Sequence, residues 1–247
     1  NADATPDSET SAEYSGISSS ISANMVGLWH FDEVSYSGAS NELRDSSGGG
    51  HHGFRSTLGS QGFTSSPLGR GISGPTAFNI PAANLPNLSN SFSFSFWMKS
   101  TDTSTNYPVL IYRYNGSNLG FLIQKGATGS SVLYFRLDTD GGANQIGCQS
   151  TRSPFDGSWH HVVITLNDAT TCKLYLDGQL NKTTSTLIKG SGLSGPLQMF
   201  LSSSSGAIEM DEVAYWERVL TDGSGSTANE ILQLYRRGAN RNKFQFR

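Results

Sequence analysis

The run SFSFSFWMKS, residues 91–100, restricts the fold of this chain more than any other segment. An apolar side chain at every second position cannot form one stripe on a helix. On a strand it puts Phe92, Phe94, Phe96 and Met98 on one face and Ser93, Ser95, Trp97 and Lys99 on the other. The first face belongs in a core, so the chain must build a sheet with one buried side.

Other segments repeat the message. VGLWHF, PVLIYRY, LGFLIQK, VLYFRLD and IEMDEVAYW read as strands, with Gly, Asn and Ser between them. HHVVITL and CKLYLDG read as a hairpin: Val162, Ile164 and Leu166 face one way, Leu174 and Leu176 join them, and residues 167–170 turn. DSSGGGHHG is a turn cluster. One helix is expected near the end, where Thr227 and Glu230 form a capping box, Ile231 and Leu234 supply an apolar stripe and Gly238 stops it. Short strands with turn signals between them predict an all-β, two-sheet antiparallel sandwich with one short C-terminal helix. Residues 1–24 read as a polar linker or stalk, 25–238 as the domain and 239–247 as a tail leading out of it.

Bulk properties exclude several functions. Charged residues are 15% of the 247 and aromatics 11%, the reverse of a disordered chain. The formal charge is −3 with basic residues scattered singly, which does not build a phosphate-binding field, so nucleic acid is not an expected partner. No run of about 18 apolar residues is present, so no membrane insertion is expected. The chain starts at Asn1 with no basic start and apolar core, and reads as a processed fragment. Cys148 and Cys172 are either free thiols or one disulfide; the extracellular character of the rest favours the disulfide.

In combination, VGLWHFDE, FSFSFWMKS, WHHVVITLND with KLYLDG, and IEMDEVAYWERVLT with ANEILQLYRRG resemble the laminin-G-like jelly-roll family of the concanavalin A-like superfamily, over roughly residues 25–238. The resemblance implies two sheets of six or seven strands, a concave face, and first and last strands side by side. It also implies a secreted or cell-surface location, bacterial members being adhesive or sugar-binding modules. Many relatives hold calcium between those strands. Asp32, Asp45 and Asp211 are the candidate ligands for one structural Ca²⁺; alternatively, Asp45 caps its own turn and Asp211 pairs with Arg218 or a backbone amide.

Catalytic chemistry is poorly represented. The superfamily's hydrolases need paired carboxylates. In Glu209-Met210-Asp211-Glu212-Val213, Glu209 and Asp211 share a face, but Val213 occupies the next position on it and Glu212 points away. Neither His51–His52 nor His160–His161 can give one zinc ion two ligands from a strand; His51 and His52 suit a turn, and His161 suits packing beside Trp159. Trp97 and Trp159 read as structural, whereas one of Tyr215 and Trp216 must face outward.

A sugar needs aromatic faces and a few amides. Residues 107–118 concentrate these, with Tyr107, Tyr112, Arg113, Tyr114, Asn115 and Asn118, although alternating tyrosines also suit a sheet surface. The leading expectation is a non-catalytic, lectin-like adhesin module that recognises surface glycans. The second is a protein-binding or self-assembling fibre knob, tethered through the leader or the basic tail (Arg236, Arg237, Arg241, Lys243, Arg247). A glycoside hydrolase comes third.

Overall fold

The structure, a computed structural model, describes residues 19–57, 62–74, 76–87, 91–104, 107–114, 120–138, 144–168, 170–185, 195–200, 208–223 and 229–241. Its strands, numbered in chain order, are all antiparallel and form two sheets. The larger sheet contains β1 (Met25–Trp29), β3 (Gly62–Ser66), β4 (Gly69–Ser73), β6 (Phe92–Ser100), β11 (His160–Asn167), β12 (Thr171–Leu176), β13 (Gln179–Ser185) and β15 (Ile208–Trp216). The smaller contains β2 (Phe54–Thr57), β5 (Ala77–Ile80), β7 (Val109–Tyr114), β8 (Gly120–Lys125), β9 (Leu133–Asp138), β10 (Asn144–Gln149) and β14 (Leu197–Phe200). The result is the expected jelly-roll sandwich. Several strands absent from the sequence reading, β2 to β5, β10, β13 and β14, are short or carry few large apolar residues, so periodicity alone does not reveal them.

The core lies between the sheets. Phe92, Phe94, Phe96 and Met98 are all buried there, as the alternation requires. Phe92 meets Phe121 of the opposite sheet with ring centroids 5.5 Å apart, and Phe94 stacks on Tyr215 at 4.7 Å.

Strand β15 organises the larger sheet. One edge pairs with β6. The other is divided: Glu209 and Met210 pair with β4, whereas Val213 and Ala214 pair with Trp29 and Leu28 of β1. First and last strands therefore do lie side by side. Between the two partners the register breaks in a bulge, with Glu212 at φ 52°. His30 Nδ1 donates to Glu212 Oε1 at 2.5 Å, and the Ser66 hydroxyl donates to the buried Asp211.

The outer face of the larger sheet is covered. Helix α1 (Ser19–Ser22) contributes Ile21, and helix α2 (Glu230–Arg241) contributes Ile231 and Leu234, to a second apolar cluster with Leu28, Val163, Tyr175, Ala214 and Trp216. Residues 19–22, read from sequence as leader, thus pack on the domain; Trp216 Nε1 donates to the Ile21 carbonyl at 2.6 Å. Tyr215 faces the core, and Trp216, on the outer face, is buried nonetheless because the helices lie over it.

Two helix expectations need correction. Thr227 lies outside the described residues, and the N-terminal amides are capped by Asn229, whose side chain accepts from Leu232 N at 2.7 Å. Glu230 is instead held by Arg218 at 2.7 and 2.9 Å and by Thr221 N at 2.9 Å. Gly238 does not end the helix, which runs to Arg241. A β-carbon there would overlap the Trp97 indole, so glycine allows the helix to approach the sheet. His161 packs against Trp97 with ring centroids 5.1 Å apart at a tilt of 41° and bonds Ser95 at 2.8 Å, while Trp159 donates to the Ser65 carbonyl at 3.1 Å.

Cys148 of β10 and Cys172 of β12 form a disulfide joining the two sheets, with Cα atoms 5.9 Å apart and a sequence separation of 24. Replacing both by alanine should lower unfolding free energy by about 3 kcal/mol, the chain-entropy value for a loop of this size, as read by urea denaturation.

Asp177 and Gly178, both at positive φ, turn β12 into β13. The Asp177 carboxylate takes His161 N at 3.1 Å and His160 Nδ1 at 3.0 Å, and Asp156 takes His160 Nε2 at 3.0 Å. Hydrogen bonding to Asp177 is the main cause that raises the His160 pKa above its usual value. Because the folded pKa exceeds the unfolded one, this contribution is complete below the unfolded pKa of about 6.5 and fades as pH rises through the folded value. His160→Gln should flatten the pH dependence of the thermal midpoint above pH 6, and an unchanged profile would refute the assignment.

Candidate functional site: the outer face of the seven-stranded sheet

The smaller sheet differs from its partner in one decisive respect. Both described α-helices pack on the larger sheet, and neither apolar cluster includes a residue of the smaller sheet's outer face. Alternation identifies that face directly. In β7, Ile111 and Arg113 point inward, so Tyr112 and Tyr114 point out. In β14, Leu197 and Met199 are buried inward and Gln198 is outward; in β5, Phe78 and Ile80 flank an outward Asn79.

Strand register assembles these residues into a row. Phe54 pairs with Asn79, Asn79 with Gln198, Gln198 with Tyr112, Tyr112 with Leu122, and Leu122 with Arg136. Adjacent strands lie about 4.8 Å apart, so the row extends for about 24 Å across the sheet. It mixes two aromatic rings, two amides, an aliphatic side chain and a guanidinium. Tyr112 and Tyr114 lie with ring centroids 5.7 Å apart at a tilt of 52°. The Tyr112 hydroxyl donates to the Gln198 side-chain carbonyl, which fixes both groups relative to the sheet. Flat rings flanked by amides can cover the C–H face of a sugar and bond its hydroxyls.

The residues expected from sequence divide. Tyr112 and Tyr114 are on this face, and Tyr107, half-exposed at φ 51°, lies just ahead of β7. Asn115 and Asn118 lie outside the described residues. Arg113 is in the interior, 1% exposed, donating from Nε to the Gly195 carbonyl at 3.0 Å and from Nη2 to the Pro86 carbonyl at 2.6 Å. Burial pulls its pKa down, and the nearby Tyr215 and Glu217 partly oppose this. Its contribution to a ligand is through the loops it anchors. Sequence reasoning missed Asn79, Gln198 and Arg136; no local motif marks them, because only register places them beside Tyr112.

Asp32 and Asp211 lie near enough for their charges to interact. Asp45 spends its carboxylate on backbone amides, accepting from Leu28 at 3.0 Å and from Ser47 and His51 at 2.8 Å. Asp32 accepts from Arg70 N at 3.0 Å, and the buried Asp211 accepts from Ser66 and from Glu212 N at 2.8 Å. Burial, then the Glu212 charge, push the Asp211 pKa well up. Asp32 and Asp211 reach the same β3–β4 hairpin, but among the described residues no group of three or more His, Cys, Asp or Glu side chains could hold a metal ion. Asp211 makes no ion pair with Arg218, which is committed to Glu230.

A family model for the concanavalin A-like lectin/glucanases superfamily, of laminin G type, matches residues 73–224. No curated protein matches the sequence. Similar solved structures include botulinum neurotoxin type C, whose cell entry is described as dependent on interaction with two ganglioside molecules: 17% identity, TM-score 0.67, 89% of this chain and 52% of that one. The binding domain of botulinum neurotoxin DC, in complex with rat synaptotagmin II, matches at 16% identity and TM-score 0.67, over 88% and 52%. The binding domain of paraclostridial mosquitocidal protein 1 matches at 17% identity and TM-score 0.62, over 87% and 52%. The chain spans about half the length of each, and at these identities the likeness concerns the fold.

The interior and outer residues of β7 should separate by experiment. Arg113→Ala should cost about 3 kcal/mol or more, because two buried carbonyls lose a charged donor. Tyr114→Ala, on the half-exposed face, should cost less than about 1 kcal/mol in the same denaturation assay.

Proposed function

We propose that this chain, which belongs to the concanavalin A-like lectin/glucanases superfamily, is a non-catalytic binding module that takes a surface glycan on the outer face of its seven-stranded sheet. The observation that carries this reading is the tilted Tyr112–Tyr114 pair, held beside Gln198 within a row of amides and a guanidinium. Fixed rings and amides lose little conformational freedom on binding, which suits a hydrophilic ligand whose individual contacts are weak.

Hydrolysis has little support in the geometry. Glu209 is paired with Lys99 at 3.1 Å and accepts from Thr64 at 2.6 Å, while Asp211 is buried at 1% exposure. A carboxylate enclosed in this way is poorly placed to attack a sugar carbon. Two of these solved structures are described as binding domains, and gangliosides and a synaptotagmin are among the named partners of the three. They support recognition as the role in general and leave the ligand to the chain's own face. A disulfide between the sheets agrees with work outside the cell, on a cell or polysaccharide surface.

A glycan array probed with the 247-residue chain, with calcium and with chelator, tests the reading. Binding to a defined set of glycans is expected. Changing Tyr112 and Tyr114 together to alanine should weaken it by at least about tenfold without unfolding the protein. Equal binding by the double variant would remove the face from consideration, and silence across the array by folded protein would favour a protein ligand.

A further inference from the structure

A second recess lies away from the tyrosine face, where the start of β1, the glycine-rich loop, the segment after β5 and the end of β15 meet. It is an open cleft of about 670 Å³, within the size range of small-molecule sites. One wall is apolar, made by Met25, Leu85 and Pro86. The lining also includes Gly50, His51 and Glu217. Gly50 is at φ 74° with no atom within 4 Å of a would-be β-carbon, so its backbone can be approached closely.

The polar groups are oriented before any ligand arrives. His51 N donates to Asp45 at 2.8 Å, and His51 Nδ1 donates to the Val26 carbonyl at 2.5 Å. A carbonyl only accepts, so Nδ1 carries the proton and Nε2 is left for another partner. Glu217 N is tied to the Asn24 carbonyl at 3.0 Å, while its half-buried carboxylate makes no ion pair among the described residues. Behind this wall lies the Arg113 guanidinium, which bonds Pro86 and interacts electrostatically with Glu217. Its buried positive charge balances the carboxylate. The cleft is therefore rich in acceptors without a strong net field.

We infer that this cleft is a binding site for an uncharged sugar unit, separate from the tyrosine face. Hydroxyl groups supply the donors that Glu217 and His51 lack, and the C–H face of the ring covers Met25, Leu85 and Pro86. Anionic sugars are disfavoured by the Glu217 carboxylate. Simple alkylammonium ions are disfavoured because the cation would face Arg113 behind that carboxylate.

The inference does not depend on the tyrosine face, and one experiment separates the two. Backbone amide NMR spectra of the full chain are recorded while methyl glycosides of glucose, galactose, mannose and N-acetylglucosamine are added, with sialyllactose and butylammonium as controls. At least one neutral glycoside should shift the amides of Gly49, Gly50 and His51. The shifts should persist in the Tyr112→Ala, Tyr114→Ala double variant and disappear in Ala83→Trp, which fills the cleft from its exposed rim. Glu217→Gln should fold normally and weaken the response by about tenfold, through loss of a charged acceptor. Shifts confined to the smaller sheet would overturn the cleft site while leaving the proposed function intact. A larger cleft response to sialyllactose or butylammonium, or none to any neutral glycoside, would also overturn it.

Discussion

The bulge in β15 is the constraint on which the rest of the molecule depends. A regular strand has one partner along each edge, but β15 must serve β4 and β1 in succession on the same edge. The change of partner leaves backbone groups out of register, and buried unpaired groups would each be costly. Side chains resolve the problem locally. Asp211 accepts from Glu212 N and Ser66, and Glu212 reaches His30. Closing this gap permits the ends of the domain to meet, and with them the two helices that lie over Trp216.

Those helices give the sandwich its asymmetry. The middle of the larger sheet is buried on both sides, which explains why Trp97, His161 and Trp216 are interior although they alternate with core residues. The close approach of α2 over Trp97 at Gly238 is possible only without a side chain. The smaller sheet has one face in the core and an outer face outside both apolar clusters. Its outward side chains include Tyr112, Tyr114, Gln198 and Arg136, whereas Trp97, His161 and Trp216 of the larger sheet are spent on the fold.

Arg113 connects this face with the cleft. It stands on β7 between Tyr112 and Tyr114, turned inward, and reaches the Pro86 carbonyl that lines the recess. A buried guanidinium is expensive unless its donors are used; here the compensation comes from loop carbonyls, and Tyr215 and Glu217 stand nearby. The same charge that braces the loops also moderates the field of Glu217.

Strong alternation was sufficient to establish an all-β sandwich and to assign the faces of β6, β11 and β12 from sequence, since large apolar residues at every second position have one favourable arrangement. The last strand and the C-terminal helix were equally legible. Arg113 was misread as a surface residue, because alternation around β7 is obscured by a bulge at Val109 and Ile111 and by its aromatic neighbours. The helix cap was assigned to Thr227 although Asn229 performs it, a choice that depends on where the chain turns back toward Arg218. Sequence by itself determined which residues must be hidden in strands and which pair of cysteines was available to bridge them. Tertiary structure alone decided which outer face remained open and which distant residues joined Tyr112, because strand register and helix docking are set by long-range pairing that no local pattern encodes.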